Sequence, residues 1–229
     1  MNTDNRLIER IYKRLLREAS LEGVDTTGLA AIIDDTGRVS TAVVYDISSI
    51  EELSGPEYKI SNDSIVGFVQ IAAPRGAPCR GAWQVKGIAG PGKIVYGLAY
   101  AMSPTGLVVP DRSEVSSRAS DAWKGYAAKT DPKNILPLDD ADHPKRGTDK
   151  HHDKYHTEDP NDDCYTAHTE DHLNAAYRGP GGELSLLNKL KSSHLELMNK
   201  LSTEGKNTAD LEEAIIVAGH AMFDKATNH

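Results

Sequence analysis

The stretch Trp83–Met102, WQVKGIAGPGKIVYGLAYAM, is where residue types and spacing point to chemistry. An alternating apolar segment runs into a glycine knot, Gly87, Gly90 and Gly92, and then into an amphipathic helix. Glycine lets backbone approach a ligand closely, and a helix opening just beyond turns its free N–H groups toward whatever sits there. Such a junction can seat a phosphate or pyrophosphate. Gly-Pro-Gly is equally the chemistry of a tight turn between a strand and a helix, and both readings stay open at this level. Lys86 and Lys93 flank the knot and can supply charge to it or simply be solvated.

Four other groupings carry reactive side chains. Trp123 and Tyr126 lie at helical spacing on an apolar face, where core packing competes with a general-acid role for the phenol. Asp111 and Glu114 stand between an apolar strand and the next helix, placed for helix capping or for taking a proton. His152 and His156 are four apart, as are His168 and His172, and Cys164 precedes His168 by four. On a helix those pairs would face one way and could hold zinc. The region is punctuated by Pro, Asp and Gly and has no CxxC, so it reads as a solvated polar loop with no metal. The acidic runs Asp139–Asp142 and Asp159–Asp163 would attract a cationic substrate or form a solvated surface.

The elements that must position these groups follow from periodicity. Asn5–Ala19 predicts an amphipathic helix, with Leu7, Ile8, Ile11, Leu15 and Leu16 on one face and Arg and Lys on the other. Leu29–Ile33 and Val39–Ile47 predict strands joined by Asp34-Asp35-Thr36-Gly37, good hairpin chemistry. Ile65–Ala72 and Ala82–Ile88 predict strands, Ile94–Met102 a helix, Gly106–Pro110 a strand and Val115–Ala128 a helix. Thr130–Asp171 is long, polar and poor in apolar residues. Asp171–Tyr177 reads as a short helix with an acidic first turn. Glu183–Leu201 and Leu211–Phe223 read as amphipathic helices of a C-terminal hairpin.

The order of elements predicts an α/β (α+β) chain with a mixed, mostly antiparallel sheet flanked by helices. It divides into an N-terminal helix (1–23), a core (24–129), a polar His- and Asp-rich loop with a short helix (130–182) and the helical hairpin (183–229). With 229 residues and 38% hydrophobic residues there is enough chain for a real core. The net charge of −8 argues against non-specific nucleic-acid binding. Two cysteines are too few for a disulfide framework and suggest a reducing compartment. No apolar run approaches the ~20 residues of a membrane span, and the first residues have no secretory apolar region. The expectation is a cytoplasmic protein.

Val85–Tyr126 resembles the GCN5-related N-acetyltransferase family. That family's signature is Gln or Arg, two residues, Gly, one residue, then Gly or Ala, at a strand-to-helix junction. Gly87-Ile88-Ala89-Gly90-Pro91-Gly92 carries both small positions, with Gly87 at the Gln/Arg position. The chain then runs helix, strand, helix, as the family does, and Trp123 stands where the family often has tyrosine, with Tyr126 one turn on. The chain is also similar to acetyltransferase-like proteins of bacteriophages, through Pro137-Leu138-Asp139-Asp140, Asp162-Asp163-Cys164 and Leu173-Asn174-Ala175-Ala176-Tyr177.

The resemblance implies a sheet that splays near its middle to hold acetyl-CoA. Val85, Gly87, Ile88 and Ala89 would line the pantetheine arm, and Gly90, Gly92 and Lys93 the pyrophosphate. An amine or a protein lysine would attack the thioester, with Tyr126 as acid and Glu114 as base. The alternative it leaves open is a non-catalytic phage virion or host-interaction protein, docked through its terminal helices on a phage or host partner.

Overall fold

The computed structural model describes residues 21, 24–51, 60–74, 78–138, 161, 164 and 170–227. The expected N-terminal helix, His152, His156, His168 and the aspartates of both acidic runs lie outside the described residues.

Seven strands form one open sheet in the order β1-β2-β3-β4-β5-β7-β6. They are β1 (Leu29–Asp35), β2 (Val39–Asp46), β3 (Ile65–Ala72), β4 (Trp83–Ala89), β5 (Leu107–Pro110), β6 (Ile135–Pro137) and β7 (Ala175–Arg178). Every neighbouring pair is antiparallel except β4 and β5, which are parallel. The described helices are α1 (Ile47–Glu51), α2 (Gly92–Met102), α3 (Ser117–Ala127), α4 (Glu183–Thr203) and α5 (Thr208–Thr227). The chain is therefore mixed α+β, with a mostly antiparallel sheet. Among the described residues no helix is long and apolar enough to cross a membrane.

Alternation along the strands builds two cores, because successive side chains point to opposite faces. Ala31, Ala42, Val44, Val69 and Ile71 face α2 and its Ile94, Val95 and Leu98. Ala30, Ile32, Val43, Tyr45 and Phe68 face α5 and its Leu211, Ile215 and Ala218. Helix α4 belongs to both. Its Leu186 and Leu190 join the α2 core and its Leu197, Met198 and Leu201 the α5 core. It therefore crosses the β1 edge of the sheet, where an uncovered strand would invite pairing with another chain. Each fully buried leucine of this kind stabilises the fold by about 1.5–3 kcal/mol.

Three expectations are corrected. Asp171–Tyr177 is not a helix: a 3-10 turn, Asp171–Leu173, leads into strand β7. β7 lies between β5 and β6, so ladder bonds on both edges fix residues whose local pattern is ambiguous. The segment read as polar loop contains strand β6, paired with Ala175–Tyr177. The two cysteines are not free thiols. Cys79 and Cys164 form a disulfide across 85 residues of sequence, so the cysteine count gives no argument for a reducing compartment.

The disulfide lies in a third apolar cluster with Ala82, Leu107, Val109, Leu138 and Ala176. Arg112, almost fully buried, sits beside it. Its guanidinium donates to the carbonyls of Leu173 and Cys164 and to Asn174 Oδ1. A buried charge needs such partners to offset its lost hydration.

Candidate functional site

Strand β4 leads to the glycine knot, and its pairing is irregular on both sides. Against β3, Gln70 pairs with Gly87 and Ile71 with Val85, so Lys86 is the extra residue of a β-bulge. A bulge bends its strand and increases the local twist. Against β5, only Trp83–Val85 is paired, opposite Val108–Pro110. Among the described strands none pairs with Lys86–Ala89 on that side. β5 ends at Pro110, so past the last pair, Val85 and Pro110, pairing stops in a wedge whose one wall is Lys86, Gly87, Ile88 and Ala89.

The knot stands at the open end of that wall. Gly90 has φ +110°, a conformation that favours glycine. Pro91 caps α2 with extended backbone, and its carbonyl accepts from Ile94 N at 3.0 Å and Val95 N at 3.1 Å. The Gly92 and Lys93 amides open the first turn, where the helix dipole favours an anion. Both residues are exposed, and a Cβ on Gly92 would meet nothing within 4 Å.

The three glycines do different work. Gly87 is buried, and a Cβ there would come within 2.6 Å of the Phe223 ring in α5. A Cβ on Gly90 would strike Val66 O at 2.5 Å and Gly67 Cα at 2.7 Å in β3. These two serve packing within the chain, and only Gly92 faces open space. Val85 is buried in the α2 core, and Ile88 packs against the same core. Ala89 packs on the opposite face.

Lys86 and Asp111 span the wedge as an ion pair of 2.5 Å. Asp111 Oδ1 also accepts from Ser113 N at 2.8 Å and Ser113 Oγ at 2.6 Å. Partial burial opposes its charge, yet the bonds from Lys86 and Ser113 outweigh burial and hold its pKa below the ordinary carboxylate value. Asp111 is therefore a poor proton acceptor near neutral pH, and Glu114 is exposed on the same loop with its backbone N 3.5 Å from Asp111 Oδ1.

Tyr126 lies elsewhere. Its ring centroid is 6.0 Å from Tyr96, 6.2 Å from Tyr100, 6.1 Å from Trp123 and 5.6 Å from Tyr177. Burial foremost raises its pKa, so the phenol is held protonated. Tyr177 pairs with Val108, which pairs with Trp83, on the closed side of the wedge. Glu114 precedes α3 and Tyr126 ends it, so about 13 Å of helix, at about 1.5 Å per residue, separates them. The Glu114 backbone N–H donates to Asp111 Oδ1 at 3.5 Å, whereas Tyr126 is held in an aromatic cluster.

His172 Nε2 is 2.9 Å from Ser120 Oγ, a bond that ties α3 to the turn before β7. Among the described residues no group of three or more His, Cys, Asp or Glu side chains could hold a metal ion.

A second constellation has no counterpart in the sequence reading. Tyr45 Oη is 2.7 Å from His194 Nδ1, and His194 Nε2 is 2.9 Å from Glu212 Oε1. Tyr45 and His194 are buried, whereas Glu212 reaches a groove of about 650 Å³ between β1, α4 and α5. Burial, then the Glu212 charge, raises the Tyr45 phenol far above its ordinary value. The available signal was His194 itself, a polar residue in the apolar stripe of α4 that must find partners once buried.

No protein-family model matches this chain, and neither a curated protein nor a solved structure matches it.

Proposed function

We propose that the chain is an acetyltransferase-like protein of the GCN5-related type, with acetyl-CoA in the wedge between β4 and β5. The observation that carries this reading is the coincidence of three features on one strand. β4 bulges at Lys86, loses its parallel partner after Val85, and ends at an exposed helix start. The wedge leaves the β4 edge at Gly87–Ala89 to hydrogen-bond the amides of a pantetheine arm. The first turn of α2, with Gly92 and Lys93, receives the pyrophosphate. Because Phe223 covers Gly87, the arm lies along the strand edge and not over that face.

In the transfer, the acceptor amine attacks the thioester carbonyl. A C–N bond forms and the C–S bond breaks. Glu114 takes the proton from the amine nitrogen, and CoA departs as a thiolate that water protonates, because the aromatic cluster holds Tyr126, the expected acid, away from the mouth. One observation favours a second reading, in which the same scaffold docks on a phage or host protein without catalysis. That observation is the separation of Tyr126 from the wedge mouth by the length of α3.

Calorimetric titration with acetyl-CoA tests the cofactor seat. Wild type is expected to bind, and Gly92→Glu to bind at least about tenfold more weakly. The substitution points into open space and puts a negative charge where the pyrophosphate would lie, while favouring the helix start. A folded wild type that binds no acetyl-CoA at millimolar concentration removes the enzyme reading. Stoichiometric recovery of such a protein in purified phage particles would then support the scaffold.

A further inference from the structure

We infer that the groove between β1, α4 and α5 is a binding site for a small organic cation with an apolar body, that is, a hydrophobic amine. Its volume of about 650 Å³ lies within the range of about 300–1,000 Å³ that small-ligand clefts occupy. In the sheet, β2 and β3 stand between β1 and β4, so the groove is distinct from the wedge. The inference does not rest on acetyl-CoA binding.

The walls call for the apolar body. Ile33 of β1, Leu195 of α4, and Ile216 and Val217 of α5 line the groove. Leu195 is 58% exposed and Val217 60%, so the apolar part of a ligand seated there takes their surface out of water.

The carboxylates call for the positive charge. Asp34, Glu212 and Glu213 line the groove with a single ammonium, Lys191. Among the described residues, the side chains of Asp34, Glu213 and Lys191 form no hydrogen bond or ion pair. Glu212 differs, because buried groups fix its place. A carboxylate only accepts, so His194 Nε2 carries the proton that it shares with Glu212 Oε1 at 2.9 Å. Tyr45 Oη holds the other ring nitrogen at 2.7 Å, and both Tyr45 and His194 are buried. Glu212 is thus oriented before any ligand arrives, and its Oε2 has no hydrogen bond among the described residues. An ammonium beside it, with apolar walls around, is attracted more strongly than at an open surface, because less water lies between the charges. The same carboxylates repel an organic anion of equal shape.

Amide chemical shifts of the isotope-labelled full chain, titrated with naphthylmethylammonium up to millimolar concentration, test the site. Saturable shifts confined to β1, α4 and α5 are expected. The neutral isostere naphthylmethanol should bind at least about tenfold more weakly, and naphthoate should not bind. Asp34→Asn/Glu212→Gln/Glu213→Gln removes the charges and keeps an acceptor for His194. It should weaken the ammonium at least about tenfold while the alcohol binds as before. Leu195→Asn/Val217→Asn should weaken ammonium and alcohol alike. No saturable shift in wild type overturns the inference, as do shifts spread over the surface or equal affinity for ammonium, alcohol and carboxylate. Equally tight binding of the short diammonium putrescine overturns it too, because charge alone would then account for the site.

Discussion

The Phe223 ring lies directly over Gly87, so that the absent Cβ of one residue is the space occupied by the other. Phe223 also stacks on Phe68 with centroids 5.1 Å apart, which limits how far the ring can retreat. Gly87→Ala is therefore expected to destabilise the protein by about 1–3 kcal/mol through overpacking. Phe223→Leu should recover part of that loss in the double variant. Gly92→Ala, in open space, should cost nothing. Denaturant midpoints of the four proteins decide the matter, and equal midpoints for wild type and Gly87→Ala would refute the close approach.

That contact shows how much of the site the sequence disclosed. The knot, its strand and its helix were legible, because alternation gives way to helical periodicity at a Gly-Pro-Gly stop. The order from β1 through α3 followed in the same way, except for the short helix α1, which the sequence reading missed. Gly87 read as a ligand-facing glycine because nothing local shows that a ring 136 residues later covers it. β6 and β7 escaped because three and four residues are too few for a period, and their pairing partners are distant. Tyr45 and His194 are 149 residues apart, and the disulfide spans 85. Neither carries a spacing signal.

The Cys79–Cys164 bridge closes a long loop and fastens Cys164 beside Arg112. Restricting the unfolded chain over such a loop is worth about 2–5 kcal/mol. Reduction, or Cys79→Ser/Cys164→Ser, should lower stability by that amount. Thiol titration should find no reactive thiols in the unfolded, unreduced protein and two after reduction. Two thiols without reductant would show that the bridge is not formed.

The chain Tyr45–His194–Glu212 links β2, α4 and α5 through one buried imidazole. Tyr45→Phe leaves His194 Nδ1 buried without its phenol and should cost about 1–3 kcal/mol. His194→Leu removes both bonds, and Tyr45 then loses its partner in turn. The double variant Tyr45→Phe/His194→Leu should cost less than the sum of the singles by about 0.5–3 kcal/mol, as expected for residues in one network. Strict additivity in urea unfolding would mean that the two groups do not interact.

The aromatic cluster makes an alkaline prediction. Burial, then the neighbouring Tyr126, pushes the Tyr96 phenol up to about 12. Burial likewise raises Tyr45, Tyr100 and Tyr177. An unfolded tyrosine loses its proton near pH 10. Below that pH both states keep their protons, and these groups make stability independent of pH. Above it the unfolded chain has released protons that the folded chain still holds, so each rise in pH favours unfolding. The raised groups act together, and stability should fall steeply from about pH 10 upward until the fold is lost. Phenolate absorbance for the cluster should appear in the same cooperative step as the collapse of near-ultraviolet dichroism. If every tyrosine titrated near pH 10 while the dichroism persisted, the rings would be open to water, and the packing of Tyr96, Tyr100, Trp123 and Tyr177 around Tyr126 would be wrong.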